Sequence, residues 1–217
     1  MTNAKVQRKD VLSNQEIEAM LEKADTLKPE YFRLRAKALV SLFKTGKRRE
    51  EVATLETSDL KIQNGYLYIT FMVVKKRKRK VLATRRTKKF PAKSSQAHYI
   101  MEYVDHMKKF HPECKYLFSS TQSVFGVGLA FKKDKHLSGR QILRIIKQLN
   151  PEAWCHLFRE TRGAEVVRSD EKRLGGEASI MTVYRVQRAL DLERETTAWN
   201  YINRYATETI ETEEEIS

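Results

Sequence analysis

The hydrophobic and polar positions of the chain follow a helical period over most of its length. In "LSNQEIEAMLEKAD" the apolar residues recur on one helical face, and Ser13 and Glu16 stand at capping-box spacing. The next segment, "PEYFRLRAKALVSLFKTG", is apolar nearly all round in its second half, which predicts a buried central helix. Gly46 stands where a helix-ending glycine belongs. A short helix is expected in "REEVATLE".

The period changes in the segment "NGYLYITFMVV", which is rich in aromatic and β-branched residues. Asn64 and Gly65, at the start of this segment, form a turn signal, and a returning strand is expected near "KVLATRR". These features predict a β-hairpin with a strongly cationic tip.

Helical patterns return further along the chain, in "SSQAHYIMEYVDHMKKF" and "LSGRQILRIIKQL". Three more helices are expected, one from about Thr161, one around "ASIMTVYRVQRAL" and one over "TTAWNYINRYA". The segment "SVFGVGLAF" fits a strand or a loop equally well. The predicted fold class is therefore mostly α with a small antiparallel β-sheet (α+β).

The charge pattern points to a polyanionic partner. The 217 residues carry a net charge of +14, and no acidic residue lies between Asp59 and Glu102. Residues 207–217 form an acidic tail. The two cysteines give neither a disulfide framework nor a metal-ligand pattern, so no metal and no cofactor are expected. Without a signal-peptide core or an apolar run of about 18 residues, no membrane contact and a cytoplasmic location are expected.

Several residue types that handle phosphates stand at suggestive positions. Arg48 follows the end of the buried helix, and His156 and Arg159 share a helical face. Each pattern alone also fits a purely structural role, because helix ends commonly carry basic residues. Two lysines could protonate a leaving oxygen, Lys75 and Lys76. Further basic residues of the hairpin could contact backbone phosphates: Lys78, Arg79, Lys80, Arg85 and Arg86. Two phenols could act as a nucleophile, Tyr201 and Tyr205.

In this order the residues resemble the catalytic domain of the tyrosine recombinase (phage integrase) family, from about Leu12 to Ala206. The stretch "TGKRREEVATLETSDL" is similar to the family's first box, which makes Arg48 the first catalytic arginine and places Glu51 and Asp59 at the acidic positions. The hairpin resembles the lysine-bearing strand pair. "HLFRETRGAEVV" and "ALDLERETTAWNY" are similar to the His-x-x-Arg box and the closing tyrosine segment.

The resemblance implies a site-specific recombinase that needs neither metal nor ATP. Tyr201 would attack a DNA phosphate and form a 3′-phosphotyrosyl link, while Arg48, Arg159 and His156 hold the phosphate oxygens. Lys75 or Lys76 would protonate the departing 5′ oxygen. The implied partner is double-stranded DNA, bound as a tetramer on two sites, with a monomer in its absence. A prokaryotic, viral or plasmid-encoded protein is expected.

The sequence departs from the family pattern in two places. Leu192 stands nine residues before Tyr201, where the family has a histidine or tryptophan. That spacing favours Tyr201 as nucleophile, and so does the position of Tyr205 nearer an apolar stripe, which suits a packing role; Tyr205 stays the alternative nucleophile. We expect residues 1–206 to form the catalytic domain. The family's N-terminal DNA-clamping domain is not visible in this sequence, which predicts either a fragment of a longer protein or a minimal recombinase that depends on another DNA-binding partner. A catalytically silent DNA-binding protein and a type IB topoisomerase-like enzyme are the alternative functions.

Overall fold

The structure is a computed structural model that describes residues 10–77, 80–125, 128–174 and 179–206, without the side chains of residues 74–83. The helices are α1 (Asn14–Asp25), α2 (Glu30–Phe43), α3 (Arg49–Ala53), α4 (Ser95–Phe110), α5 (Gly139–Leu149), α6 (Cys155–Leu174), α7 (Ile180–Leu190) and α8 (Glu195–Tyr205). The strands are β1 (Leu60–Gln63), β2 (Tyr66–Arg77), β3 (Lys80–Pro91), β4 (Ser119–Val124) and β5 (Gly128–His136).

The first two helices form as their sequence patterns predict. The Ser13 hydroxyl accepts from the Glu16 amide at 3.2 Å, and the Glu16 carboxylate accepts from the Ser13 amide at 2.9 Å, which completes the capping box of α1. Helix α2 is buried on almost all sides because it packs between α1 and α4. After it, Gly46 takes a φ of +77°, a left-handed conformation that glycine adopts without strain.

The strands form two antiparallel sheets. β1, β2 and β3 lie in that order, and β2 pairs with β3 from Tyr66 opposite Pro91 to Arg77 opposite Lys80. Alternate β2 residues from Leu67 to Val73 are buried, so one face of this hairpin covers the core. The second sheet consists of β4 and β5; the ambiguous segment contributes the end of β4, at Ser123 and Val124, and the start of β5, from Gly128. The predicted α+β class is confirmed, with a second sheet in addition.

Helix α6 begins at Cys155, so the prediction that it begins near Thr161 is wrong. The physical reason is burial, because Leu157 and Phe158 are almost completely shielded and the Phe158 ring lies 5.8 Å from that of Phe43. This packing holds the first turns of α6 against α2. As a result, His156 and Arg159 both lie on a regular helix rather than in the loop before it.

The buried apolar residues form two clusters that α6 connects. The larger cluster contains the inward faces of α1 to α5 and of β2, and it reaches the first turn of α6. The smaller cluster is built by α6, α7 and α8. Along the stretches that the structure describes, no helix has both the length and the apolarity needed to cross a membrane.

A buried ion pair joins the loop after α2 to the end of α7. The Lys47 side chain is 1% exposed, its Nζ lies 2.5 Å from Asp191 Oδ2, and it also lies 4.5 Å from the centre of the Phe71 ring. Asp191 ends α7 with a φ of +50°. Because both charges are shielded from water, each depends on the other for compensation.

We predict that Lys47→Met destabilises the protein by about 3–5 kcal/mol, because it leaves the Asp191 carboxylate buried without its partner. The free energy of unfolding in urea measures the effect. Lys115→Met is the matched control, since the Lys115–Glu56 pair is half exposed and spans 3.6 Å; its expected cost is below about 1 kcal/mol. Equal losses in the two variants would contradict a structural role for the buried pair.

Candidate active site

Arg48 is fixed at the start of α3 by a single buried carboxylate. Glu51 Oε1 lies 2.9 Å from the Arg48 Nη1 atom, and Glu51 Oε2 accepts from the Arg48 backbone amide at 3.1 Å. Glu51 is 4% exposed, whereas the Arg48 side chain is 44% exposed. The carboxylate therefore orients the guanidinium, whose other edge remains accessible to a ligand.

Arg159 is almost completely buried and bridges the loop after α2 and the C-terminal end of α7. Its Nη1 donates to the Gly46 carbonyl at 2.6 Å, and its Nη2 donates to the Leu190 carbonyl. Burial lowers the pKa of the Arg159 guanidinium, and the positive charge of Arg48 lowers it further. An anion between the two arginines would relieve this repulsion.

The two tyrosines of α8 occupy different environments. The Tyr201 ring lies against α6 at Gly163, where an added Cβ would stand 2.3 Å from Tyr201 Cδ1. Burial raises the pKa of Tyr201, Glu160 raises it further, and Arg159 acts in the opposite direction. Burial and a hydrogen bond to Glu160 raise the pKa of Tyr205 to about 12, and the Tyr205 hydroxyl also lies 3.4 Å from the Asp10 carbonyl.

Glu160, which the sequence reasoning missed, lies at the centre of these groups. Its Oε1 lies 2.9 Å from His156 Nε2 and 3.4 Å from the Tyr201 hydroxyl; its Oε2 lies 2.9 Å from the Tyr205 hydroxyl and 3.4 Å from Arg204 Nη1. Burial raises the pKa of Glu160, but hydrogen bonds from His156 and Tyr205 outweigh it, so the pKa lies below its usual range. The sequence signal that could have identified Glu160 is its position directly after Arg159, one helical turn beyond His156.

A groove of about 290 Å³ brings together Arg48, His156, Arg159 and Tyr201, four of the six residues predicted to be catalytic. Its lining residues are Arg48, His156, Arg159, Glu160, Leu192, Thr197, Asn200, Tyr201 and Arg204. Leu192 therefore lies in the groove, while Tyr205 does not line it. Three guanidinium groups, an imidazole and a phenol around one small space suit a phosphate. Among the described residues, no group of His, Cys, Asp or Glu side chains has a metal-binding arrangement.

The hairpin residues divide into two groups. Lys78 and Arg79 lie outside the described residues, as do the side chains of Lys75, Lys76 and Lys80. Backbone pairing places Lys75 opposite Leu82 and Lys76 opposite Val81, near the tip of the hairpin. Arg85 and Arg86 are exposed and line a second groove, of about 790 Å³, which also contains Arg188 and Leu192.

Lys88 is a second residue that the sequence reasoning missed. Its Nζ donates to the Arg188 carbonyl at 3.1 Å and to the Ala189 carbonyl at 2.9 Å. Burial lowers the pKa of Lys88 to about 8; Asp191 opposes the shift, while Lys47, Arg162 and Arg159 add to it. No sequence signal separates Lys88 from the other basic residues of the hairpin, because its shift arises from burial beside α7.

The phage integrase family model matches residues 10–169 of the chain. Among solved structures, the chain is similar to the XerH site-specific recombinase bound to difH substrate in a pre-cleavage complex, with 18% identity and a TM-score of 0.63 over 89% of this chain and 50% of that one. It is also similar to the Tn1549 transposon integrase in complex with circular intermediate DNA, with 16% identity and a TM-score of 0.57 over 92% and 63%.

The chain thus spans about half the length of the XerH chain and less than two thirds of the Tn1549 integrase chain. No curated protein matches it. Because the sequence identities are only 18% and 16%, the structural similarity shows a shared fold.

We predict that Gly163→Ala lowers the free energy of unfolding by about 1–3 kcal/mol, because the new Cβ overlaps the Tyr201 ring. This loss is expected even though alanine is favoured over glycine in a helix by about 1 kcal/mol. Urea denaturation measures it. Ser169→Ala, at an exposed position of α6, is the control and should leave stability within about 0.5 kcal/mol. A Gly163→Ala protein as stable as the parent would show that the ring is not fixed there.

Proposed function

The chain belongs to the phage integrase family and has the fold of a tyrosine recombinase catalytic domain, and we propose that it cleaves and rejoins double-stranded DNA through a phosphotyrosyl bond. One observation carries this proposal. Two arginines, a histidine and a tyrosine from distant parts of the sequence line a single groove of about 290 Å³. The XerH and Tn1549 structures that the chain resembles are DNA complexes, which supports the choice of substrate.

The arginines are suited to hold the scissile phosphate. Arg48 and Arg159 are each oriented by buried oxygen atoms, so they need not reorganise when charge develops on the phosphate. Their mutual repulsion favours binding of an anion between them. The His156 ring is 60% exposed and lines the same groove, so it is placed to supply a further donor.

Tyr201 is the proposed nucleophile. Tyr201 lines the groove together with Arg48 and Arg159, whereas Tyr205 lies outside the groove and is hydrogen-bonded to Glu160. As the Tyr201 oxygen bonds to phosphorus, the bond from phosphorus to the 5′ oxygen breaks. The covalent link conserves the bond energy, and attack by a 5′-hydroxyl on that link rejoins the strands. The reaction as proposed uses neither ATP nor a metal.

The proton donor to the departing 5′ oxygen is proposed among three lysines of the hairpin. Lys75 and Lys76 stay candidates from the sequence, and Lys88 joins them because it lies beside the site. A lysine whose pKa is about 8 donates a proton more readily near neutral pH than an ordinary lysine does. The pairing of Lys88 with two helix-end carbonyls is compatible with a structural role as well, which makes substitution the deciding test.

The second groove fits the DNA backbone beside the scissile phosphate. Arg85, Arg86 and Arg188 line it, and Leu192 connects it to the first groove. We propose that these arginines, with Lys78, Arg79 and Lys80 of the hairpin, contact backbone phosphates and position the duplex. Assembly as a tetramer on two DNA sites belongs to the same proposal.

A catalytically silent DNA-binding protein is the second candidate. Two observations favour it, since the ionised Glu160 carboxylate and the apolar Leu192 both line the groove where the phosphate would bind. Such a protein would bind DNA in a salt-sensitive manner without forming any covalent adduct. A topoisomerase-like enzyme would form the adduct and relax plasmids without a specific site.

We predict that the protein forms a denaturation-resistant adduct with a pool of nicked duplexes of randomised sequence, in buffer that contains a metal chelator. Tyr201→Phe should abolish the adduct, because it removes the attacking oxygen, and Tyr205→Phe should retain it. Gel electrophoresis under denaturing conditions measures the adduct. If Tyr201→Phe still forms it, the nucleophile is assigned wrongly; if no protein forms it while binding is salt-sensitive, the silent candidate is favoured.

We predict that replacing the true proton donor by methionine slows adduct formation by roughly 10²- to 10⁴-fold. Lys75→Met, Lys76→Met and Lys88→Met are compared on two substrates, one with the natural bridging 5′ oxygen and one with sulfur in its place. A thiolate leaves without a proton, so the donor variant recovers its rate on the sulfur substrate. A variant that is equally slow on both substrates has lost structure or binding rather than the proton donor.

A further inference from the structure

One partly buried carboxylate is in contact with four polar groups at the candidate active site. Glu160 is 14% exposed, and its contacts come from α6 through His156 and from α8 through Tyr201, Arg204 and Tyr205. Glu160 lines the same groove as Arg48 and Arg159, so its negative charge would repel a phosphate bound there.

The two oxygen atoms of Glu160 are divided between the two phenols. Oε2 accepts from the Tyr205 hydroxyl at 2.9 Å and faces Arg204 at 3.4 Å. Oε1 faces His156 at 2.9 Å and the Tyr201 hydroxyl at 3.4 Å. The contacts through Oε2 and from His156 hold the carboxylate in place, and the longer contact from Oε1 leads to the oxygen that would attack DNA.

We propose that Glu160 is a catalytic residue that accepts the proton of Tyr201 as the phenol attacks the phosphate; this inference rests on the proposed function. The Tyr201 O–H bond breaks toward Glu160 Oε1 while the bond from the Tyr201 oxygen to phosphorus forms. The bond from phosphorus to the 5′ oxygen breaks, and that oxygen takes a proton from a lysine. In the reverse reaction Glu160 returns its proton to the Tyr201 oxygen.

The transfer is favourable only while the reaction proceeds. In the resting protein the phenol has a raised pKa and the carboxylate a lowered one, so the proton stays on Tyr201. The phenol becomes acidic when its oxygen begins to bond to phosphorus, and the adjacent Arg159 stabilises the charge that develops. The site thus keeps its nucleophile neutral until a phosphate is in position.

Proton transfer also removes the electrostatic cost of the carboxylate. An ionised Glu160 repels a bound phosphate, whereas a protonated Glu160 does not, so the repulsion is relieved as the transition state forms. The charged or titratable groups that line this part of the groove or contact Glu160 are His156, Arg159, Arg48, Tyr201, Arg204 and Tyr205. The positive members of this set oppose protonation of Glu160 in the resting state and favour the phosphate in the complex.

The test compares the parent protein with Glu160→Gln, which keeps the side-chain volume and one acceptor oxygen but cannot take a proton. Single-turnover adduct formation is followed over pH on the sulfur-bridged nicked duplexes, which remove the dependence on a lysine donor. We expect Glu160→Gln to be roughly 10²- to 10³-fold slower. Its rate should rise continuously with pH as hydroxide replaces the lost base, while the parent rate should be flat at neutral pH and fall in acid.

Matched variants separate this role from a structural one. Glu160→Asp keeps a carboxylate base, at a greater distance from Tyr201, and should show part of the parent rate with the parent's pH dependence. This variant tests the role of Glu160 even if Glu160→Gln does not fold. Glu165→Gln, on the same helix and paired with Arg162, should match the parent. DNA affinity of a folded Glu160→Gln protein should be unchanged or higher, because a negative charge is lost.

The outcomes distinguish the inference from the function on which it rests. If the parent forms the adduct and Glu160→Gln matches its rate and pH dependence, Glu160 is not the proton acceptor, and the proposed function stands. The role of Glu160 is equally overturned if Glu160→Asp is slow and has lost the parent's pH dependence. If the parent forms no adduct with any duplex in the pool, the proposed function fails and this inference fails with it.

Discussion

The rest of the site depends on the two hydrogen bonds that the buried Arg159 guanidinium donates to backbone carbonyls. The guanidinium donates to the carbonyl of Gly46, in the loop after α2, and to the carbonyl of Leu190, at the C-terminal end of α7. The Lys47–Asp191 pair joins neighbouring positions of the same two segments. A residue that would face a DNA phosphate is therefore also a structural tie, so the geometry of the groove and the packing of the two clusters depend on each other.

The outline of the site is predictable from the sequence because the relevant residues stand in a characteristic order. That order singles out Arg48, His156, Arg159 and Tyr201, and the structure brings all four to one groove. Helix α1 and the long hairpin are also predictable, because capping and strand periodicity are local properties. The early start of α6 is not, since it depends on burial against α2.

Glu160 and Lys88 show why the remaining features could not be predicted from the sequence. A glutamate after an arginine is an ordinary pattern for a solvated helix face, and only the packing of α8 on α6 brings both phenols to it. Likewise, only the approach of β3 to the end of α7 desolvates one lysine among many. In both cases a long-range contact changes the chemistry of a residue whose local sequence is ordinary.

The arrangement of α6 has a consequence for how this chain can vary in length. His156, Arg159, Glu160 and Gly163 lie at intervals of three, four and seven residues from the first of them, which places all four on one helical face. An insertion or deletion of one residue rotates everything beyond it by about 100°. A substitution at one of these positions would leave the other three on that face, but a change of length between His156 and Gly163 would move Gly163, against which the Tyr201 ring packs, to a different face from His156.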